Sequence, residues 1–303
     1  MDQAHTDRDR PTPTIGIVGV GLMGEPIARA LGSTFIVAAF DIDPERAVIA
    51  PNLEWKASVG ELALAADVLV TVLPGPGELS STMTTALPLL RRGALWLDLT
   101  SGDPAASRDL AARASVLGVD MVSAPMGGSV AEASNRELTF FVSGDDRAVA
   151  RAMPVLAQLS RPDGVRRSGS RAEDGQIVKL LANSLWFANA LAASEAMLIG
   201  QGLGLAPADL HRLLRDSAGG SRYLDAHAER LLDGDYLTTF GIDRVVEELR
   251  AVAAMGRATR TPTPMLDVSE SMHEAALRRF GPELGELLAV KVLEEDAGRD
   301  LRR

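Results

Sequence analysis

The stretch that most constrains this chain is Thr14-Ile15-Gly16-Ile17-Val18-Gly19-Val20-Gly21-Leu22-Met23-Gly24. A short apolar run enters three glycines spaced as GxGxxG, and residues 25–31 then read as a helix. An apolar run of that length suits a strand buried on both faces. The spacing suits a turn from strand into helix. Gly19 permits the tight turn, Gly21 lets a ligand approach the backbone, and Gly24 lets the helix lie close to the strand. Leu22 and Met23 complete the loop, and the helix start offers N–H groups and a partial positive charge to phosphates. Asp41 ends a second apolar run at 35–40, and a carboxylate there accepts hydrogen bonds from an adenosine ribose and repels a 2′-phosphate. The pattern points to a bound dinucleotide. Asp41 favours NAD, while nearby Arg46 leaves NADP open.

Further apolar runs at 68–73, 95–99, 120–124 and 138–143 alternate with helical stretches, one beginning at Pro44 with Asp43 as cap and one over 104–117. That alternation predicts a doubly wound parallel sheet, a Rossmann domain over 14–172, with the strand at 138–143 closing the series. From Asp174 to Gly202 the chain has no proline and its apolar positions recur at helical spacing. This predicts one long joining helix, followed by helices at 207–217, 221–231, 240–258, 263–278 and 282–297. Residues 173–303 are therefore expected to form an all-α domain for substrate and dimerisation. A helix so rich in Ala and Leu calls for cover from a second subunit, a homodimer or homotetramer built through the C-terminal helices.

Composition narrows the chemistry. There is no cysteine, and the four histidines are widely spaced, so thiolate nucleophiles and a Cys or His-pair metal site are excluded. The net charge of −10 argues against nucleic acid and anionic membranes as partners. Residues 1–13 are polar and end in two prolines, which reads as a flexible tail rather than a secretory signal. The expectation is a cytoplasmic enzyme acting on a small-molecule substrate.

Taken together, these residues resemble the β-hydroxyacid dehydrogenase family over about residues 14–295. The first block is Ile15 to Ala28, including Leu22-Met23-Gly24. The second, Val72-Leu73-Pro74-Gly75, implies that Leu73 and Pro74 line the ribose side of the cofactor. The third, Asp98-Leu99-Thr100-Ser101, implies hydroxyls of Thr100 and Ser101 near the nicotinamide, although both could instead cap the helix that follows. The fourth, Gly175-Gln176-Ile177-Val178-Lys179-Leu180-Leu181-Ala182-Asn183, resembles the family's GxxxKxxxN signature. Lys179 and Asn183 are four residues apart and so share one helix face. The resemblance implies Lys179 as catalytic acid/base and Asn183 as the group that orients it and the substrate. It also implies a C-terminal domain like that of 6-phosphogluconate dehydrogenase.

Two places depart from the family pattern. Its substrate loop reads roughly PVSGG, where a serine and backbone amides hold a carboxylate. Here the loop is Pro125-Met126-Gly127-Gly128-Ser129, so Gly127 stands at the serine position, and two later glycines align with Glu132 and Arg136. The family's Lys-Asp pair aligns with Glu247-Glu248. If Glu247 faces the substrate it disfavours a carboxylate tail and favours an amino or hydroxyl group. Otherwise Glu247 and Glu248 form a solvated acidic face paired with Arg244 or Arg250. Trp186, Phe187 and Tyr223 line the substrate pocket or pack a core, and Arg222 is an anion anchor or a surface residue. The leading reading is a dehydrogenase of a small β-hydroxy acid, semialdehyde or related alcohol. An imine reductase is the alternative, though such enzymes usually lack a lysine at the position of Lys179. A non-catalytic dinucleotide-binding protein is a remote third.

Overall fold

The computed structural model describes residues 13–50 and 53–303. The tail expected at 1–13 lies, apart from Pro13, outside the described residues.

Unit one extends to Lys179. Its elements are β1 (Thr14–Val18), α1 (Gly24–Gly32), β2 (Ile36–Phe40), α2 (Arg46–Ile49), β3 (Glu54–Trp55), α3 (Val59–Ala65), β4 (Val68–Thr71), α4 (Pro76–Ala86), β5 (Leu95–Asp98), α5 (Pro104–Leu117), β6 (Asp120–Ser123), β7 (Met126–Gly127), α6 (Val130–Asn135), β8 (Leu138–Gly144), α7 (Asp146–Leu159) and β9 (Ser160–Gly169). The sheet order is β3-β2-β1-β4-β5-β6-β8-β7, with β9 beside β8. The first six strands are parallel, and Ile15 lies opposite Val37 on one side and Val68 on the other. β1 and β4 are neighbours although β2 and β3 intervene in sequence, so the strand order reverses beside β1, where open α/β sheets bind ligands.

The continuous apolar runs have a simple cause. Val68, Val70, Leu95 and Leu97 enter one core with Ile27 and Leu31 of α1, while Leu69 and Trp96 enter another with Leu79 and Met83 of α4. Both faces of these strands are buried, so neither parity can be polar.

The helix expected from Pro44 begins only at Arg46, because Asp43 accepts from the Glu45 N–H and holds a turn before it. The series does not close at Ser143. α7 and β9 follow, and β8 runs antiparallel to β6. β9 was illegible because it carries Pro162, Asp163 and Gly164, and its pairing with β8 is irregular in register.

Unit two runs from Leu180 to Arg303. It contains most of α8 (Asp174–Gly202), then α9 (Pro207–Arg215), α10 (Arg222–Ala226), α11 (Ala228–Leu232), α12 (Ile242–Thr259), α13 (Pro264–Phe280) and α14 (Leu288–Ala297). The helix expected over 221–231 is broken at His227 into α10 and α11. The core joins Leu180, Phe187 and Leu198 of α8 to Val245 and Leu249 of α12 and to Leu288 and Val292 of α14.

α8 is 29 residues long and, by length and a mean hydropathy of 1.2, could cross a membrane. Its side chains show a different use. Gln176 and Ser194 are fully buried and hydrogen-bonded, and Leu180 and Phe187 sit in the core. On another face Leu181, Leu185 and Ile199 are exposed.

Candidate active site

Four turns leave the carboxyl ends of neighbouring strands in unit one, and each carries residues singled out above. The first follows β1. Gly19 has φ +91°, and a β-carbon there would meet the Val72 carbonyl oxygen at 2.1 Å. A β-carbon at Gly24 would meet the Gly19 carbonyl oxygen at 2.0 Å. At Gly21 nothing lies within 4 Å. The turn thus requires two of its glycines for itself and leaves the third beside open space, which fits a pyrophosphate resting on the backbone. Leu22 is exposed and Met23 stands just before α1. Asp41 lies half-buried at the end of β2. Its carboxylate accepts from the Val20 N–H at 2.6 Å and the Asp43 N–H at 2.9 Å, which aims it beside the glycine turn. Arg46 pairs with Asp43 at 3.3 Å.

The second turn, Leu73-Pro74, is tied to the third. The Leu73 N–H donates to Thr100 Oγ1 at 3.2 Å. Thr100 is buried, and its own N–H donates to Asp98 Oδ1, which also accepts from Thr71 Oγ1 at 2.8 Å. Neither Thr100 nor Ser101 caps α5; Asp103 does, accepting from the Ala105 N–H. Asp98 is completely buried, and burial pushes its pKa up to about 6 although hydrogen bonds from Thr71 and Thr100 oppose the shift. Its second oxygen has no hydrogen-bond partner among the described residues. A half-satisfied buried carboxyl favours the neutral acid.

The first turn of α8 docks on these strand ends. Gln176 donates through Nε2 to the Thr100 carbonyl at 2.8 Å and accepts at Oε1 from the Gly102 N–H at 2.9 Å. The Gly175 N–H donates to Ser143 Oγ, and a β-carbon at Gly175 would lie 3.3 Å from Pro125. Lys179 follows Gln176 by three residues, so it is held one turn beyond this anchor. Lys179 is half-buried and makes no ion pair or side-chain hydrogen bond among the described residues. Sequence reasoning quoted Gln176 only as part of the signature. The signal was present: an amide one turn before a lysine in an otherwise apolar helix start.

The fourth turn, Pro125 to Ser129, differs from expectation. Met126 and Gly127 form β7 and pair with Phe140 and Thr139. Gly128 has φ +132°. Ser129 forms a capping box with Glu132, and its N–H donates to Glu132 Oε2 at 2.8 Å. Arg136 takes a left-handed conformation, φ 61°, at the end of α6, where the family's glycine would sit without strain.

In unit two, Asn183 lies one turn after Lys179 on α8. Its Nδ2 donates to Glu248 Oε2 at 2.7 Å. The substrate-facing role expected for Glu247 is corrected. Glu247 is turned outward, 56% exposed, and pairs with Arg244 at 3.0 Å. Helix phase explains this. Val245, Val246, Leu249, Val252 and Ala253 form the buried stripe of α12, with Glu247 nearly opposite it and Glu248 on its border. Phe187 and Tyr223 are core residues, with the Tyr223 hydroxyl 3.2 Å from Ser194 Oγ. Trp186 is half-buried and meets Phe187, Tyr223 and His227 edge-on. Arg222 is exposed.

This architecture has known counterparts. Residues 14–169 match the NAD binding domain of 6-phosphogluconate dehydrogenase, and 174–293 match the NAD-binding domain of NADP-dependent 3-hydroxyisobutyrate dehydrogenase. The chain is 27% identical to 2-(hydroxymethyl)glutarate dehydrogenase of Eubacterium barkeri, over 94% of this chain and 96% of that protein. It is similar to the crystal structure of 3-hydroxyisobutyrate dehydrogenase from Salmonella typhimurium, with TM-score 0.81, 25% identity, and coverage of 92% and 99% of the two chains. An imine reductase from Pseudomonas sp. shares the fold more distantly, with TM-score 0.60, 18% identity, and coverage of 93% and 100%. The chain belongs to the β-hydroxyacid dehydrogenase family. It is an NAD(P)-dependent oxidoreductase.

Proposed function

We propose that the chain moves a hydride between NAD and the hydroxyl-bearing carbon of a small hydroxy acid, semialdehyde or related alcohol, with Lys179 as general acid/base. The observation that carries this reading is Lys179, without a side-chain partner among the described residues and held one turn beyond the Gln176 anchor at the strand ends. The Gly19–Gly24 turn, Leu73, Pro74, Thr100 and Ser101 hold the dinucleotide, which when bound supplies the redox chemistry. Lys179 takes the hydroxyl proton in oxidation and returns it in reduction. Asn183 has one amide hydrogen fixed on Glu248, which sets the side chain and leaves the other to steady the reacting oxygen. Met126, Gly127, Gly128 and Ser129 bound the substrate side.

The aimed carboxylate of Asp41 supports NAD over NADP. Residues 14–172 serve as the dinucleotide-binding domain and 173–303 as the substrate and dimerisation domain. The exposed Leu181, Leu185 and Ile199 on α8 support a homodimer or homotetramer through the C-terminal helices, which sedimentation velocity reads directly. The acidic, cysteine-free chain suits a cytoplasmic enzyme.

The test is a panel of hydroxy acids, alcohols and cyclic imines with each cofactor, followed through absorbance of the reduced nicotinamide. Lys179→Ala is expected to lower alcohol oxidation by about 10²–10⁴-fold with NAD affinity intact. Unchanged turnover in that variant would refute the role of Lys179. A strict preference for NADP would refute that of Asp41, and faster reduction of imines than of carbonyls would favour the imine reductase reading.

A further inference from the structure

We infer that Trp186 closes the far end of the substrate site and sets the length of the hydroxy acid it accepts, its indole N–H meeting an oxygen remote from the reacting hydroxyl. This rests on the hydride-transfer reading above, with the reacting oxygen at Lys179 and Asn183, and narrows its substrate class to short hydroxy acids.

Helix phase gives the first reason. Asn183 follows Lys179 by four residues and Trp186 follows Asn183 by three, which puts all three within about 60° of one another around α8. Lys179 ends unit one and the other two lie in unit two, but α8 is one helix, so its geometry alone sets their spacing. The same face continues to Ala190 and Met197. Those two are buried, whereas Lys179, Asn183 and Trp186 are half-buried. The face is therefore open over the two turns from Lys179 to Trp186 and closed from Ala190 onward. Trp186 stands at the end of the opening, about 10 Å along the axis from Lys179 at ~1.5 Å per residue. Side chains on a helix lean toward its N-terminus, which carries the indole over the turn that holds Asn183.

The second reason is an unspent donor. Of the three tryptophans, Trp55 donates its indole N–H to the Ala50 carbonyl at 3.0 Å and Trp96 donates to Thr71 Oγ1 at 3.0 Å. Trp186 makes no hydrogen bond among the described residues. Its ring is nonetheless held in place. Phe187, Tyr223 and His227 meet it edge-on, with centroids 5.1, 6.2 and 5.6 Å away and planes 83° or 84° apart. A ring fixed by three others loses little rotamer freedom when a ligand arrives. Its N–H then gains the partner that indoles ordinarily find on burial. A carboxylate or hydroxyl oxygen suits that donor, and the ring bars a chain that runs further.

Trp186→Phe keeps an aromatic ring and removes the N–H, while Trp186→Ala also removes the barrier. The first measurement is kcat/KM for 3-hydroxypropionate, 4-hydroxybutyrate and 6-hydroxyhexanoate, in which the chain between hydroxyl and carboxylate lengthens. The wild type is expected to favour the shorter acids. Trp186→Phe is expected to raise KM for them about fivefold with kcat unchanged, the effect of one lost hydrogen bond. Trp186→Ala is expected to shift the preference toward 6-hydroxyhexanoate by about tenfold. A length preference unchanged in Trp186→Ala overturns the inference. The second measurement needs no turnover. 3-Hydroxypropionate is titrated into NADH-loaded protein, where it cannot be oxidised, and tryptophan emission is followed. A response is expected in the wild type and not in Trp186→Phe, which keeps Trp55 and Trp96 as emitters. The same response in both proteins, or none in either, overturns the inference. Turnover abolished by Lys179→Ala would then leave the hydride-transfer reading intact. Should Lys179→Ala turn over normally while the emission response depends on Trp186, that reading fails and the assignment of Trp186 stands.

Discussion

Two glycine-rich turns in unit one are built alike and end differently. Each leaves the carboxyl end of a parallel strand and opens a helix, β1 into α1 and β6 through β7 into α6. In the first, the nearby carboxylate of Asp41 binds the Val20 N–H from outside the turn, and Gly21 stays beside open space. In the second, Glu132 belongs to the helix that the turn opens, and its carboxylate folds back over Gly128 and onto Ser129. Each turn thus has a carboxylate on one of its N–H groups, reached from a neighbouring strand end in the first and from the helix the turn opens in the second. The difference teaches that a glycine pattern marks backbone access, while the fold decides which carboxylate lies beside that backbone.

The comparison can be broken most severely at Gly24. Gly24→Ala drives a β-carbon into the Gly19 carbonyl, and a loss of roughly 1–3 kcal/mol or more in unfolding free energy is expected by chemical denaturation. Near-wild-type stability would show that the turn has slack the structure does not show.

A third turn, after β5, sharpens the contrast, because it is fixed from beneath by a buried acid. Asp98 has its pKa raised to about 6, chiefly by burial, above the ordinary value near 3.9 for an exposed aspartate. A raised pKa in the folded state means the acid form stabilises the fold. That contribution is complete below about pH 4 and is lost as pH rises through about 6. For this one group the change is up to ~3 kcal/mol. Asp98→Asn has no proton to lose, so denaturation midpoints of wild type and variant should diverge between pH 4 and 7, the wild type falling relative to the variant. Parallel profiles would place an ionised Asp98 in the folded protein throughout.

The smallest expected change in stability is at Gly21. With nothing within 4 Å, Gly21→Ala should leave the denaturation midpoint nearly unchanged, within about 0.5 kcal/mol, while weakening NAD binding in a fluorescence titration. Equal NAD affinity would remove Gly21 from the proposed cofactor contact.

Much of this was legible beforehand. The glycine turn, Asp41 at the end of β2 and α8 over Asp174–Gly202 all coincide with their sequence expectations, because each depends on local spacing or on an uninterrupted helical period. The Rossmann and all-α division was equally readable in outline. The contact pattern divides the chain at Lys179, inside α8, because the first turn of that helix is bonded through Gly175 and Gln176 to the strand ends. What was misjudged depended on phase and pairing. Glu247 and Glu248 are adjacent in sequence but about 100° apart around α12, and only the second meets Asn183. β9 could not be recognised from a segment whose proline and glycine argue against a strand, since its partner β8 supplies the reason for it to extend.

The sequence by itself determined that a dinucleotide turn, an acid at the end of the second strand and a lysine one helical turn before an asparagine are present, since periodicity and steric rules act over a few residues. Tertiary structure decided what those groups do for one another. It placed Gln176 against the carbonyl of Thr100, left Lys179 without a partner among the described residues, buried Asp98 and turned Glu132 back onto Ser129. Hydrogen bonding and desolvation depend on which groups meet in space, and residues as far apart as Gly102 and Gln176 meet only when the chain has folded.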